Sequence, residues 1–280
     1  MLNKSIISEY ITPLYPISTP LKRSGNLKEK IKCILFDIYG TLFISGSGDI
    51  GAAKKEPQKA GKIELLLQKY RINKTPEAVL KDLFTAIENK HKIMKKNGID
   101  FPEIEIDRIW MGVLENNNLD TARNFAIEYE LITNPVYPMP NLKELISSCT
   151  EKKILMGIIS NAQFYTSYLF EWFLNSKLED LGFNPDLCFF SYRLGRAKPS
   201  PFMFKTASGK LKEISVPANL TLYVGNDMLN DIYPAKQAGL NTALFAGDAR
   251  SLRLREDAPE CKNLSADLVI TDLIQLLEFI

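Results

Sequence analysis

The chain holds one histidine, His91, in 280 residues. A histidine-based catalytic triad therefore has a single candidate imidazole. His91 sits among lysines in a helical stretch, where a solvated surface position is expected. Cysteine is also sparse: Cys33, Cys149, Cys188 and Cys261 are far apart and form no C-x-x-C pair. Neither a disulfide framework nor a zinc site is expected, and Cys33 and Cys188, in apolar strand-like runs, read as small buried hydrophobes. No apolar run is long enough to span a bilayer. Residues 1–20 carry scattered apolar side chains broken by Pro13, Pro16 and Pro20, without the basic-then-apolar order of a signal peptide, so a cytoplasmic location is expected. Charge is near balance, with 35 Lys and Arg against 33 Asp and Glu. That balance gives no argument for nucleic acid or for a membrane surface as partner.

What is present is ordinary soluble-protein composition, 45% hydrophobic and 24% charged, in a length that allows one large domain or two modest ones. Residues 1–30 read as a loosely held N-terminal arm. Residues 31–36 form a short apolar run, the pattern of a buried parallel strand. Loop composition follows, Ser45-Gly46-Ser47-Gly48-Asp49-Ile50-Gly51 and then a lysine-rich stretch. From about 63 to 132 the pattern is helical throughout. Thr75-Pro76-Glu77-Ala78 marks a helix start, with Thr capping and Pro in the first turn. The segment 134–140, rich in proline, reads as a stiff return linker. Strands then alternate with helices, at 154–159, 187–192, 220–224, 242–245 and 268–270. The alternation predicts an α/β fold with a parallel sheet covered on both faces, to which the strand at 31–36 also belongs. The expected units are the arm at 1–30, the α/β core at 31–45 and 136–280, and an all-helical insertion at 46–135.

The strands finish in reactive polar residues. Asp37 ends the first, Ser160-Asn161 the strand at 154–159, and Gly225-Asn226-Asp227 the strand at 220–224, with Asn230 and Asp231 a turn on. Lys198 follows the strand at 187–192. In a parallel sheet these ends share one edge, where ligands bind. Three aspartates on one edge repel unless a cation sits among them, and hard oxygen donors without His or Cys suit Mg²⁺. Ser160 and Lys198 add a hydroxyl and a positive charge for an anionic substrate.

This set resembles the haloacid dehalogenase superfamily. Asp37-Ile38-Tyr39-Gly40-Thr41 is similar to its first motif, Ser160 to the second, Lys198 to the third, and Gly225-Asn226-Asp227 through Asp231 to the fourth. The resemblance covers residues 31–44 and 150–245. It implies a Rossmann-like three-layer core, a helical cap at this insertion point, and an Asp37 nucleophile that forms a covalent intermediate. It further implies Mg²⁺ held by Asp37, the Tyr39 backbone carbonyl and Asp227, with Asn226 and Asp231 behind them. Thr41, Ser160, Asn161 and Lys198 are the implied phosphate contacts, and a small phosphorylated molecule is the implied substrate.

Two departures matter. Most phosphatases of the superfamily carry an acid–base Asp where this chain has Tyr39, and a positioned acid or base is worth roughly 10²–10⁴ in rate. The Asp-x-Tyr-Gly-Thr form also resembles the 2-haloacid dehalogenases, which need no metal. Those carry an Arg soon after the first motif, yet here no Arg lies between Arg23 and Arg71. The metal-dependent phosphatase is the expected branch, with dehalogenase chemistry and a non-catalytic ligand- or partner-binding protein as alternatives. Gly46-Ser47-Gly48-Asp49-Ile50-Gly51 matches G-x-G-x-x-G but lacks the strand–helix context of a dinucleotide site. It reads instead as a hinge.

Overall fold

The structure, a computed structural model, describes residues 7–46 and 57–280. The glycine-rich loop at 47–51 and residues 52–56 of the lysine-rich stretch fall outside them, and with them most of the expected hinge; the rest of that stretch, read as loop, opens a helix at Pro57. A seven-stranded sheet has the order β1-β9-β8-β7-β2-β5-β6. The strands are β1 (Ser24–Gly25), β2 (Cys33–Phe36), β5 (Leu155–Ser160), β6 (Phe183–Phe190), β7 (Thr221–Gly225), β8 (Asn241–Phe245) and β9 (Leu268–Ile270). All neighbours run parallel except β1 on β9.

β2 is buried on both faces because its side chains alternate between two helix-covered layers. Ile34 and Phe36 join one apolar cluster, and Cys33 and Leu35 join the other. β2 also lies between β5 and β7, with Phe36 level with both Ile158 and Val224. The residue after Phe36 therefore emerges between the ends of the two strands that deliver Ser160 and the 226–231 turn.

Four helices make up the inserted cap: α1 (Pro57–Lys69), α2 (Pro76–Lys96), α3 (Ile106–Val113) and α4 (Leu119–Thr133). The Thr75 hydroxyl accepts from the Ala78 N–H at 3.2 Å, and Pro76 follows in the first turn. Trp110 of α3 packs edge-on against Phe125 and Tyr129 of α4, with ring centroids 4.8 Å from each.

The structure corrects several expectations. The proline-rich return segment is partly a strand: β4 (Val136–Pro138) pairs antiparallel with β3 (Phe43–Ser45). Gly46 N–H and Met139 N–H extend the pairing to Pro135 and Leu42. Proline is tolerated because β4 is an edge with one partner. The two chain crossings into the cap are thus zipped together at their base.

From Ile7 onward the N-terminal arm is docked rather than loose. Ile7 is fully buried, β1 extends the sheet, and Ile17 N–H donates to Asp248 at 3.1 Å. Tyr10 reaches the cap, donating to Glu128 of α4 at 2.5 Å, and Lys69 and Tyr70 hold the same buried carboxylate.

His91 is half-buried rather than fully solvated. It follows Ile87 by one turn on the apolar stripe of α2, and its Nε2 is buried with no hydrogen-bond partner among the described residues. Lys90, Lys92, Lys95 and Lys96 are exposed, as expected. Among the described residues no helix is long and apolar enough to cross a membrane.

Candidate active site

Asp37 keeps its place in the ladder, its N–H donating to Val224 at 2.9 Å, while its side chain clears the sheet edge. Gly40 follows with φ +81°, and a Cβ there would lie 2.5 Å from the Ser251 Cβ and 2.8 Å from the Asn226 amide nitrogen. Only glycine permits both that turn and that approach.

One ammonium joins the site. Lys198 Nζ donates to Asp37 Oδ1 at 2.7 Å and to Asp231 Oδ1 at 2.5 Å, and it lies 3.0 Å from the Tyr223 hydroxyl. Ser160 Oγ donates to the same Asp37 Oδ1 at 2.9 Å. Burial pulls the Lys198 pKa down, but the Asp231 and Asp37 carboxylates more than offset it, so the net shift is upward and the ammonium stays charged. Burial pushes Asp231 up to about 6, against the pull of Lys198. Asp231 Oδ2 accepts the N–H groups of Asn226 and Asp227, both at 3.0 Å. Gly225 allows this: a Cβ there would sit 2.4 Å from the Asp231 Cγ.

Asp227 faces a different partner. Arg255 Nη2 donates to its Oδ2 at 2.6 Å, and Nε lies 3.1 Å from both oxygens. Asp227 Oδ1 also accepts the Leu229 and Asn230 N–H groups at 2.9 and 3.1 Å, closing the turn at 228–232. The three aspartates are therefore met by two cations of the chain itself, which leaves one negative charge at this edge without a partner cation among the described residues. Among the described residues no group of three or more His, Cys, Asp or Glu is placed to hold a metal ion. Arg255 lies across the Asp227 carboxylate in this arrangement, so a cation that reaches Asp227 must displace it.

A cavity of about 300 Å³ opens above Asp37. Tyr39, Asn161, Lys198, Asn226, Asp227 and Asp231 all border it. Tyr39 directs its hydroxyl to Thr166 at 3.1 Å, and its pKa is raised, first by burial and then by the charge of Glu130. Asn161 braces the loop that carries Lys198: its Oδ1 accepts the Lys198 N–H at 2.7 Å and its Nδ2 donates to the Lys198 carbonyl at 3.2 Å. Thr41 is placed otherwise. It is fully buried, donates to Asn226 Oδ1 at 3.2 Å, and is not among the residues bordering the cavity.

Several residues of the site are not marked in the sequence. Tyr223 lies inside an apolar strand run, so its pattern signalled core alone. Arg253 and Arg255 come from a distant C-terminal loop with no motif. Glu103 and Glu130 descend from the cap. Burial raises both of their pKa values, only partly opposed by Ile104 N–H, Ser191 and Gln163 at Glu103, and by Asn134 and Tyr165 at Glu130. A period-3.6 pattern cannot tell such a buried acid from a surface one.

Residues 31–239 match the family model for haloacid dehalogenase-like hydrolases. The chain belongs to that family. It is 28% identical over 199 residues, 70% of this chain and 77% of the relative, to a glyceraldehyde 3-phosphate phosphatase of Pyrococcus furiosus. Among solved structures it resembles a 2-haloacid dehalogenase from Pseudomonas syringae pv. Tomato DC3000, with TM-score 0.54, 23% identity, and 89% of this chain and 97% of that one covered. It also resembles CbbY from Rhodobacter sphaeroides in complex with phosphate, with TM-score 0.50, 17% identity, and 88% and 96% covered. These likenesses place the fold: a mostly parallel sheet flanked by helices.

Proposed function

We propose that the protein hydrolyses the phosphate ester of a small metabolite through an aspartyl-phosphate on Asp37. The observation that carries this reading is the asymmetry of the Asp37 carboxylate. Ser160 and Lys198 both hold Oδ1. Oδ2 has no hydrogen bond among the described residues and is the oxygen left to attack. In the first step Oδ2 bonds to phosphorus and the ester P–O bond breaks, releasing the alcohol as its oxyanion, which takes a proton. In the second, water attacks phosphorus, the P–Oδ2 bond breaks, and phosphate and the Asp37 carboxylate are restored. Lys198 neutralises charge on nucleophile and phosphoryl oxygens, which is most of what such a transfer requires. Phosphate transfer also agrees with the activity named for the Pyrococcus furiosus relative. Mg²⁺ belongs to this reading only once Arg255 has left Asp227, and no step above is routed through it.

Tyr39 bears on the first step. Its phenol is bonded to Thr166 and kept neutral by a raised pKa, so it is a poor substitute for a carboxylic acid. Alcohols that leave as weakly basic oxyanions are therefore favoured.

A second reading is halide displacement from a 2-haloacid, favoured by one observation: Arg255 supplies the positive charge at Asp227 that makes a metal unnecessary. The deciding experiment is a phosphate-release screen over many metabolites, with Mg²⁺ and with EDTA, using Asp37→Asn as blank. Chloride release from 2-chloropropionate is measured in parallel. Phosphate release that Asp37→Asn abolishes supports the first reading; chloride release alone overturns it.

A further inference from the structure

A second cavity, of about 210 Å³, lies between the cap helices and the loop of the core that carries Gln163 and Tyr165. Its walls are apolar: Leu83, Phe84 and Ile87 of α2, Trp110 of α3, and Ala126 and Tyr129 of α4. Glu103, Glu130, Gln163 and Tyr165 border both this chamber and the cavity above Asp37. The two spaces thus meet across a polar collar. His91 also lines the chamber, and its Nε2 is buried with no partner among the described residues. Buried polar atoms in native proteins are nearly always hydrogen-bonded, and an orphan invites explanation. His91 is pulled toward the neutral form, first by burial and then by Lys95. A neutral ring nitrogen can meet a hydroxyl without carrying charge into an apolar room.

We propose that this chamber is the subsite for the leaving group, and that the substrates are phosphate esters of an alcohol with an apolar ring or branched chain. A polar group at the far end of that alcohol meets His91. The inference rests on the phosphatase reading for the position of the phosphate, and it adds the chemical class of the alcohol.

Size supports the assignment. An apolar cavity of about 150 Å³ accepts benzene, so this one holds a single substituted ring. The collar supports it too. Gln163 Nε2 donates to Glu103 at 3.1 Å and Tyr165 donates to Glu130 at 3.0 Å, a polar passage suited to the ester oxygen between phosphate and ring. The triose phosphate of the Pyrococcus furiosus relative has no apolar part to fill such a space.

The test uses non-hydrolysable probes, so leaving-group chemistry plays no part. Binding of benzylphosphonate and methylphosphonate to the full chain is measured by calorimetry with millimolar Mg²⁺ present. Burying the ring is expected to tighten benzylphosphonate at least about tenfold over methylphosphonate. Ala126→Phe, which fills the chamber, should erase that difference and leave methylphosphonate unchanged. 4-Hydroxybenzylphosphonate should bind tighter still, with the extra gain lost in His91→Phe.

Benzyl alcohol alone, followed by Trp110 fluorescence, separates this claim from the phosphatase reading. Quenching that Ala126→Phe removes, with no phosphonate binding, supports the chamber and fails the phosphatase reading. Equal binding of the two phosphonates overturns the chamber and leaves the phosphatase reading standing. A preference that survives in folded Ala126→Phe also overturns it, as does binding of neither phosphonate nor alcohol.

Discussion

Arg255 lies across the carboxylate of Asp227, with Nη2 2.6 Å from Oδ2 and Nε 3.1 Å from both oxygens. The aspartate expected to hold a metal is paired here with a cation of the chain. Because the Arg255 side chain is 37% exposed, the pair is screened and is worth about 1 kcal/mol or less. Mg²⁺ must displace it to reach Asp227. Arg255→Ala should therefore tighten Mg²⁺ by roughly fivefold and enlarge the Mg²⁺-dependent rise in melting temperature. The measurement is thermal unfolding over a Mg²⁺ titration. Identical titrations for the two proteins would show that the metal, if bound, does not use Asp227.

Lys198 bridges Asp37 and Asp231 in a buried setting. Lys198→Met leaves two carboxylates facing each other without their cation, and should destabilise by roughly 3–5 kcal/mol as well as abolish turnover. Asp231→Asn on top of Lys198→Met should restore part of that loss, because the repulsion goes with it. Urea unfolding of the double-mutant cycle reads the coupling. Additive losses would mean that the ammonium does not join the two acids.

Glu130 and Glu103 have pKa values raised by burial from the ordinary 4.5. Between the unfolded and the folded pKa the native state holds more protons than the unfolded one. Stability then falls as pH rises through that window. Glu130→Gln carries no such penalty, so its stability relative to wild type should improve from pH 4 to pH 8. Urea unfolding across that range tests it, and a difference that stays constant with pH would place the Glu130 pKa at its ordinary value.

Tyr39 sets the leaving-group dependence. Wild-type rates on phosphate esters should fall steeply as the leaving-group pKa rises. Tyr39→Asp should raise alkyl-ester turnover by up to roughly 10²–10⁴. A flat wild-type plot with good alkyl turnover would assign the proton to another group, and Glu130 and Glu103 border the right cavity.

The sheet and its reactive edge were legible in the sequence for a physical reason. Buried parallel strands leave short apolar runs, and Asp37, Ser160 and Asp227 interrupt them abruptly at the ends. Gly40 and Gly225 stand in the first and fourth motifs, but the clearances by which they admit Ser251 and the Asp231 carboxylate are not legible in the sequence. Arg255 was not legible at all, because it meets Asp227 from 28 residues away in a loop whose composition carries no periodicity. His91 was misread because neighbouring lysines dominate local polarity, while its own position continues the Leu83–Ile87 stripe. The strand in the return segment was hidden by prolines, since pairing on an edge needs only some of the N–H groups.

The covalent role of Asp37 is tested most directly by trapping. Protein turning over a phosphate ester is acid-quenched and reduced with borohydride, and the peptide containing residue 37 is read by mass spectrometry. A phosphorylated Asp37 is an acyl phosphate and reduces to homoserine. The account predicts homoserine at position 37, absent without substrate and absent in Asp37→Asn. Phosphate release under the same conditions with residue 37 recovered unchanged, in a quench shown to preserve acyl phosphates, would contradict it.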